Sequence, residues 1–412
     1  MPQIPHMSTE YRDGSRAGHP PADEALVAAA TARAEAHIRR EQLAGWDPYD
    51  ALKSPLFSLP GVGRSRHLRF ATQQVIRRLP VNIRPLLAIP KGLNPVTIGL
   101  VLGGYAELAA AEPARAGELG DNAARLVGEL ERLVSQGYRG ACWGYDFPWQ
   151  SRATLIPAYA PTIVATAFVT NGLFAAYERF GIEPALDLCA SAAEFVLHDL
   201  HRTPGPDDSF CWSYSPLDTQ CVLNATAKGS RLCAQVWSVR GGDHLAQAAE
   251  ASLRYVAAHQ RPDGAWPYAV GDSRSWVDNF HTGYVLDALD EWRRRTGSDS
   301  FDERIRSGWD YYRANLFEPD GRPRYYDREL YPIDSTACGQ AMLTLVRFGD
   351  LEFALRVATG VVEGLQRRDG GFAYRRYRHF TNSIPYMRWS TAWIFAGLTS
   401  VLAAAREARG AA

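Results

Sequence analysis

The stretch SWVDNFHTGYVLDALDEWRRRTG, residues 275–297, decides the fold. A polar segment leads into a pattern whose apolar positions recur at helical spacing. These apolar positions are Tyr284, Leu286, Leu289 and Trp292. Asp278 stands directly before the pattern, where acidic side chains commonly cap helices, and Gly297 stands where helices commonly end. The stretch therefore predicts a buried helix that follows a polar loop.

The same order of segments recurs along the chain. Each unit has an amphipathic helix, a long aromatic and polar loop, an apolar helix rich in small residues, and a tight turn. The six apolar segments begin at Asn94, Pro161, Asp218, Asp278, Asp334 and Arg388, and the last four are 54 to 60 residues apart. Five amphipathic helices alternate with them, over residues 117–136, 183–200, 243–259, 301–316 and 351–366.

This repeat predicts an all-α protein, a closed α/α toroid of six helical hairpins. A single hairpin cannot bury its apolar face, so neighbouring hairpins must stack, and closing the ring removes exposed ends. An open superhelix is the alternative. In a closed ring, every crossing from an outer to an inner helix lies at the same end. These crossings are the long ones, so one rim is expected to carry most aromatic and ionisable loop residues.

Composition is ordinary for a globular chain of 412 residues, with 46% hydrophobic and 22% charged residues. Zero formal net charge gives no global field toward nucleic acid, so no nucleic-acid partner is expected. Six cysteines form no CxxC pair and no zinc-ligand spacing, which indicates reduced thiols, no metal site and no cofactor. We expect a disordered leader over residues 1–22 without a signal peptide, an N-terminal helical and basic segment over 23–93, and the toroid over 94–412. The expected location is the cytoplasm.

Four acids are candidates for chemistry at the loop-rich rim. Asp218, Asp278 and Asp334 each precede an apolar helix, and Asp146 lies in the loop WGYDFPWQ. Helix capping alone would explain the first three. Two carboxylates facing each other are also what glycoside hydrolysis requires. His281, three residues after Asp278, is either a core histidine or a group that moves protons near neutral pH.

Arginine and aromatic side chains are concentrated in the same loops. Guanidinium groups match carboxylate or phosphate oxygens, and aromatic rings stack on sugar rings. The pattern favours an acidic or phosphorylated glycan as ligand. The candidate substrate-binding residues are Trp149, Arg152, Tyr214, Trp266, Trp276, Arg376, Tyr386 and Arg388.

A basic stretch precedes the first apolar helix. From residue 51 to 106 the chain has no acid but eight lysines and arginines, interspersed with leucine, isoleucine and valine. One interpretation is a solvated basic face. The other is peripheral contact of residues 53–91 with an anionic lipid surface at the inner face of the membrane.

Several motifs resemble known families. QRPDGAW, residues 260–266, is similar to the Q-x-x-x-G-x-W pattern of the squalene-cyclase and prenyltransferase toroids, and QRRDGGF, residues 366–372, is a weaker match. In those toroids the motif ties an outer helix to the next turn, so it implies fold rather than chemistry. The terpene-cyclase D-x-D-D acid is missing from the sequence.

A second resemblance concerns the setting. The segments CWGYDFPWQSR, CWSYSPLD, WVDNFHTG, YPIDSTACGQA and YMRWSTAW resemble bacterial and archaeal toroid proteins of cell-surface polysaccharide biosynthesis, from about residue 94 to the C-terminus. The resemblance implies glycan assembly rather than a particular reaction.

These observations lead to one hypothesis with two alternatives. The first is a metal-independent enzyme that processes a glycan or glycan precursor by hydrolysis, elimination or uronate epimerisation. Its candidate catalytic residues are Asp146, Asp278, His281 and Asp334. The alternatives are a non-catalytic glycan-binding or scaffold subunit, and a terpene-cyclase-like enzyme acting on an isoprenoid without the D-x-D-D acid.

Overall fold

The computed structural model describes residues 21–59, 61, 63–151 and 154–411. Of the expected leader, only Pro21 and Ala22 fall within this range, and their backbone opens the first helix. The helices are α1 (Pro21–Arg40), α2 (Arg66–Arg78), α3 (Pro95–Ala111), α4 (Ala116–Arg132), α5 (Ile163–Phe180), α6 (Glu183–Asp199), α7 (Leu223–Arg240), α8 (Asp243–Ala258), α9 (Asn279–Thr296), α10 (Asp302–Asn315), α11 (Ser335–Arg347), α12 (Leu351–Leu365) and α13 (Trp393–Gly410).

The strands of the described residues are only two or three residues long. They are β1 (Ala44–Gly45), β2 (Gly92–Leu93), β3 (Trp149–Gln150), β4 (Leu155–Ile156), β5 (Arg202–Pro204), β6 (Phe210–Trp212), β7 (Cys221–Val222), β8 (Ala269–Val270), β9 (Ile333–Asp334), β10 (Arg375–Arg376) and β11 (Thr381–Asn382). Short 3-10 helices cover Asp50–Lys53, Pro55–Ser58 and Pro113–Arg115, and a π-helical turn covers Met387–Ala392.

Six inner helices form a closed ring, which confirms the predicted toroid. In ring order they are α3, α5, α7, α9, α11 and α13, and each packs against the next. The last, α13, packs against the first, α3. Their apolar and small residues are buried on nearly every side, as expected of helices enclosed by neighbours.

Close helix contact in this ring depends on glycine. A Cβ atom on Gly172 of α5 would overlap the carbonyl oxygen of Gly99 on α3. The Cβ of a residue at 99 would in turn meet the α5 backbone near Phe168. Glycine at both positions therefore lets the two backbones approach more closely than any larger residue would.

The outer layer consists of α4, α6, α8, α10, α12 and α1. The sequence predicted only five of these helices. α1 packs against α12 and α13 and so takes the sixth outer place. The segment between α1 and α3 is therefore the sixth crossing from an outer to an inner helix, and it includes α2.

The long crossings contact one another all around one rim. Pairing of β7 with β8 and of β9 with β10 joins neighbouring crossings, and Asp278 bridges to Tyr326 of the next crossing. Side-chain and backbone contacts complete the circle. These contacts are Lys53–Asp146, Ile163–Tyr214 and Asp47–Arg388. The prediction that the chemically rich crossings share one rim is thereby confirmed.

The turns at the opposite rim are short. α5 ends at Gly181 and α9 at Gly297, and both glycines adopt left-handed conformations, with φ of 69° and 72°. Glycine adopts this conformation without the steric cost that a side chain would add.

Two of the predicted helix caps are present and one is not. Asp278 caps α9 by accepting the backbone N–H of His281, and Asp334 caps α11 by accepting those of Thr336 and Ala337. Asp218 does not cap α7, because β7 lies between them and keeps the chain extended until Leu223. Asp218 instead closes a local turn by accepting N–H groups of Tyr214 and Gln220.

Candidate active site in the funnel of the ring

Partly buried aromatic side chains of the crossings lie close together at the loop-rich rim, where Tyr268 is within electrostatic range of Tyr145 and Tyr49. We call the space that they enclose the funnel. Its rings are Tyr49, Tyr145, Tyr214, Tyr268, Trp276, Tyr325 and Trp389. Each comes from a crossing, and all six crossings contribute at least one ring.

Ring–ring and ring–cation contacts connect this wall. Tyr268 stacks on Trp276, with ring centroids 4.8 Å apart, and Tyr49 packs against Trp389 at 5.6 Å. The guanidinium of Arg388 lies 4.6 Å from the ring centre of Tyr145 and 5.0 Å from that of Trp389. The wall is thus a continuous aromatic surface with polar edges, which suits the alternating apolar and hydroxyl faces of a sugar.

Asp278 and His281 form an ion-pair-like contact within this wall. Asp278 Oδ2 lies 2.6 Å from His281 Nδ1, and the indole Nε1 of Trp276 donates to the same oxygen at 3.1 Å. Asp278 Oδ1 accepts the backbone N–H of His281 at 3.0 Å. The carboxylate is only 2% exposed, whereas the imidazole remains 22% exposed.

This arrangement assigns the histidine tautomer. A carboxylate accepts hydrogen bonds, so Nδ1 of His281 carries the hydrogen and Nε2 is left with the lone pair. Tyr268 contacts the ring edge-on at 4.7 Å, and Phe280 packs at 4.2 Å. Nε2 has no hydrogen-bond partner among the described residues, so it is the group that can accept a proton from a ligand.

Asp334 is occupied by other groups. Its Oδ2 accepts from Arg375 Nε at 2.5 Å and from the indole of Trp389 at 3.1 Å, while Oδ1 caps α11. Arg375 in turn lies between the rings of Tyr325 and Tyr374, at 4.9 and 4.6 Å. Asp334 thus lies beside the funnel and positions Arg375, and its side chain is fully buried.

Asp146 is likewise engaged. Lys53 Nζ and Asn94 Nδ2 both donate to its carboxylate at 2.9 Å. Each of the three predicted catalytic carboxylates therefore has charged or polar partners of its own. Only Asp278 contacts an imidazole, the side chain that most often transfers protons near neutral pH.

Arg388 lies at the funnel wall, as expected, but it is already neutralised. Asp47 accepts from its Nε at 2.6 Å and from Nη2 at 2.9 Å, a bidentate pair that is almost fully buried. Sequence reasoning missed Asp47 and Tyr49, because both belong to the N-terminal segment and meet Arg388 and Trp389 from the other end of the chain. The adjacent Arg84 is also buried and neutralised, because it donates to the carboxylate of Asp50 and to the hydroxyl of Tyr386.

Only some of the predicted substrate-binding residues lie at the funnel. Tyr214 and Trp276 line the funnel, and Trp149 is partly buried in β3. The prediction is wrong for Trp266 and Tyr386, because both are buried, at 3% and 0% exposure, and cannot stack on a ligand. Arg376 is exposed on β10, and Arg152 lies outside the described residues.

The position of Trp266 has a clear cause. Its indole donates to Val256 O and its ring packs over Gly308 of α10. Gln260 of the same motif donates to the carbonyls of Gly264 and Arg304. The motif fixes an outer helix end to the next turn, as the resemblance implied.

Burial keeps the funnel tyrosines protonated. It raises the pKa of Tyr214 well above its usual value, and the neighbouring Tyr145 adds to this effect. Burial also raises the pKa of Tyr145, whose hydroxyl is hydrogen-bonded to Tyr214. At neutral pH both hydroxyls are protonated; one donates to the other, and the second is left to donate to a sugar oxygen.

Solved structures with the same architecture include several carbohydrate enzymes. A family 76 glycoside hydrolase (mannosidase) from Bacteroides thetaiotaomicron matches with a TM-score of 0.59 and 10% identity, over 93% of this chain and 100% of that one. A sugar epimerase from a ruminal bacterium matches at 0.58 and 16% identity, over 77% and 90%.

A third match is an unsaturated glucuronyl hydrolase variant from Streptococcus agalactiae, at 0.55 and 11% identity, over 92% and 90%. Neither a protein-family model nor a curated protein sequence matches this chain. At these identities the likeness establishes the fold, an α/α toroid. Among the described helices, none is long and apolar enough to cross a membrane.

Proposed function

We propose that this protein is a carbohydrate-active enzyme that moves a proton at a carbon of an acidic glycan, as in uronate epimerisation or β-elimination. The observation that carries the proposal is the 2.6 Å contact between Asp278 and His281 in a partly exposed aromatic funnel. Three solved toroids of similar shape are a mannosidase, a sugar epimerase and a glucuronyl hydrolase, which supports the substrate class.

His281 supplies the base in this proposal. Asp278 accepts a hydrogen bond from the Nδ1–H group and stabilises the imidazolium that forms when Nε2 takes a proton from the sugar carbon. A carbon next to a carboxylate or carbonyl is acidic enough for this step, because the remaining charge moves onto oxygen. The tyrosine hydroxyls of the wall are positioned to donate to such oxygens.

Hydrolysis by two carboxylates has less support. It requires one free acid and one free base or nucleophile across the scissile bond. Asp146 is instead paired with Lys53 in a partly buried contact, and Asp334 with Arg375 in a buried one. The proposed setting, cell-surface polysaccharide biosynthesis, is supported by the sequence resemblance alone.

Two readouts test the proposal, one for each product: incorporation of solvent deuterium for epimerisation and ultraviolet absorbance for elimination. The protein is incubated in D₂O with oligosaccharides of glucuronate, galacturonate and mannuronate, and with neutral cellobiose. Mass spectrometry then measures deuterium in the sugar. Ultraviolet absorbance reports unsaturated elimination products, and a reducing-end assay reports hydrolysis. For at least one acidic sugar we expect either deuterium at carbon, from epimerisation, or an unsaturated product, from elimination, and we expect neither for cellobiose.

Two variants complete the experiment. His281→Gln should reduce deuterium incorporation by about a hundredfold or more, the usual contribution of a general base. His198→Gln is the matched control, because His198 forms an exposed pair with Glu194 on outer helix α6, at 3.2 Å. Full activity of His281→Gln, or release of reducing ends with neither deuterium incorporation nor ultraviolet absorbance, would contradict proton transfer. Binding of sugars without any turnover would favour a glycan-binding subunit.

A further inference from the structure

Lys228 of α7 is a buried amine without a carboxylate partner. Its side chain is 4% exposed, and its Nζ lies 3.8 Å from the ring centre of Phe168 and 3.6 Å from that of Tyr284. No hydrogen-bond or ion-pair partner of Lys228 occurs among the described residues. The nearby acid Asp287 is occupied by hydrogen bonds from Gln340 and Thr344.

Lysine is rare in this chain, which has only three against 42 arginines. The other two, Lys53 and Lys91, are paired with Asp146 and Glu41. Lys228 is therefore the exception: it is the most buried of the three, and its amine contacts two aromatic rings instead of a carboxylate.

Lys228 lies beneath the candidate catalytic pair. The ring of Tyr284 is 5.7 Å from the ring of His281, centroid to centroid, and Lys228 contacts Tyr284. Trp393 packs on Tyr284 and Phe168, at 5.9 and 5.0 Å. These rings and Lys228 form one cluster, which we call the floor of the funnel, and Tyr284 connects it to His281.

An ammonium group at this position lacks a counterion. Taking a cation out of water is costly unless an anion or hydrogen-bond acceptors replace the water, and burial accordingly lowers the pKa of Lys228 well below its usual value. Aromatic faces provide part of the compensation. A ligand carboxylate would provide the rest, and would favour the protonated amine, because the site is largely shielded from water.

We propose that Lys228 binds the carboxylate of an acidic sugar at the funnel floor. This inference rests on the proposed function and specifies its substrate as a uronic acid. With the carboxylate anchored below, the adjacent ring carbon lies toward His281, where its proton can be removed. Lys228 also neutralises the charge that accumulates on the carboxylate oxygens when that proton leaves.

Binding measurements separate this inference from the catalytic proposal. Isothermal titration is carried out with glucuronate and glucose, and with the corresponding disaccharides, on the wild type, Lys228→Met and Lys228→Arg. We expect the wild type to prefer the acid. Methionine keeps much of the volume of the stem, so Lys228→Met should lose about tenfold or more in affinity for glucuronate and little for glucose. Lys228→Arg should retain part of the preference.

His281→Gln serves as the second arm. It should still prefer glucuronate, because the floor is intact, while losing hydrogen exchange. If neither exchange nor elimination occurs in any of these proteins but the acid preference depends on Lys228, only the catalytic proposal is wrong. Equal loss of acidic and neutral sugars in Lys228→Met, or no acid preference in the wild type, would overturn the floor site.

Lysine footprinting provides a test without a variant. Reductive methylation followed by mass spectrometry distinguishes the three lysines, and exposed Lys91 is the internal control. Glucuronate should protect Lys228 while glucose does not, and Lys91 should react equally in both samples. Unchanged Lys228 labelling with glucuronate would contradict the proposal even if Lys228→Met failed to fold.

The rim itself carries a second, independent feature. Of eleven large apolar side chains exposed among the described residues, six lie between Leu56 and Leu86, in the crossing that contains α2. Leu68 and Val75 lie seven residues apart, on the same exposed face of α2 as Arg78. The crossing has no acid from residue 51 onward. Apolar side chains beside basic ones, in a segment without acids, are complementary to an anionic bilayer surface.

We propose that this face, defined by Leu68, Val75 and Arg78, docks on anionic phospholipid beside the funnel mouth. Co-sedimentation with phosphatidylcholine vesicles, with and without phosphatidylglycerol, tests it. We expect binding only to the anionic vesicles, and its loss in the double variant Leu68→Ser, Val75→Ser. Val239→Ser, exposed at the opposite rim, is the matched control. No binding to anionic vesicles, or equal binding by the double variant, would overturn the proposal.

Discussion

Asp278 has two roles that substitution can separate, as helix cap and as partner of His281. The carboxylate accepts three hydrogen bonds, from the backbone and ring of His281 and from Trp276, at 3.0, 2.6 and 3.1 Å. Asparagine is as good a helix cap as aspartate, whereas alanine provides no cap. Asp278→Asn should therefore keep the cap and remove the negative charge beside His281. Asp278→Ala should lose both.

The expected magnitudes follow from these contacts. Loss of the cap costs about 1 kcal/mol, and loss of hydrogen bonds to a buried charged group costs about 1.5–3 kcal/mol. Asp278→Ala should lower the free energy of unfolding by about 3 kcal/mol and Asp278→Asn by about 1 kcal/mol. Both should reduce hydrogen exchange into the sugar by about a hundredfold, because the tautomer and charge of His281 are no longer fixed.

Urea unfolding followed by circular dichroism measures the stability of both variants, and the D₂O assay measures their activity. The reasoning predicts unequal stability but similar loss of activity. Equal destabilisation by asparagine and alanine would show that the cap contributes nothing. Wild-type activity in Asp278→Asn would refute the role of the carboxylate in proton transfer.

Three further predictions concern the ring. Burial opposes ionisation of Glu291, but the surrounding arginines hold its pKa well below its usual value. The ion pairs of Glu291 with these arginines therefore stabilise the fold above the unfolded pKa of about 4.3, and this stability is lost as pH falls. Glu291→Gln should be less stable at pH 7 in urea and show a shallower stability loss under acid; an unchanged acid slope would contradict this. Gly172→Ala should destabilise the protein by about 1–3 kcal/mol, because the added methyl group overlaps the carbonyl oxygen of Gly99. Gly103→Ala, which has free space around it, should not destabilise the protein. Equal melting temperatures of the two variants would refute the contact. Arg388→Met leaves a buried carboxylate unpaired and should cost about 3–5 kcal/mol, which thermal unfolding would detect; a smaller loss would mean that the crossing rearranges.

Much of the fold could be predicted because the repeat is visible in the local spacing of apolar residues and glycines. The apolar helices and their glycine ends recur in the sequence, and a ring is the simplest way to bury six of them. The sixth outer helix could not be identified by that route. α1 lies at the opposite end of the chain from α12 and α13, against which it packs, so its place depends on ring closure.

The candidate site was predictable only where its contacts are local. Asp278 and His281 are three residues apart at a helix start, and that spacing brings the carboxylate to the ring. The bidentate pair of Arg388 and Asp47 joins residues 341 positions apart, and no local pattern reveals it. Trp266 is of a residue type that suits a binding site, but its hydrogen bond to a backbone carbonyl and its packing over a glycine of α10 bury it in the core.

Lys228 shows a further limit of prediction from sequence. It lies within a run of small residues in an inner helix and resembles a chance charge. Its significance comes from two rings on other helices, Phe168 and Tyr284, which the closed ring brings to its ammonium group.

A crystal structure with a bound uronic acid oligosaccharide tests the central claim most directly. We expect the sugar in the funnel, its carboxylate at Lys228 Nζ and the adjacent ring carbon facing His281 Nε2. A well-ordered sugar bound on the outer helices or at the opposite rim, with His281 and Lys228 untouched, would contradict the account.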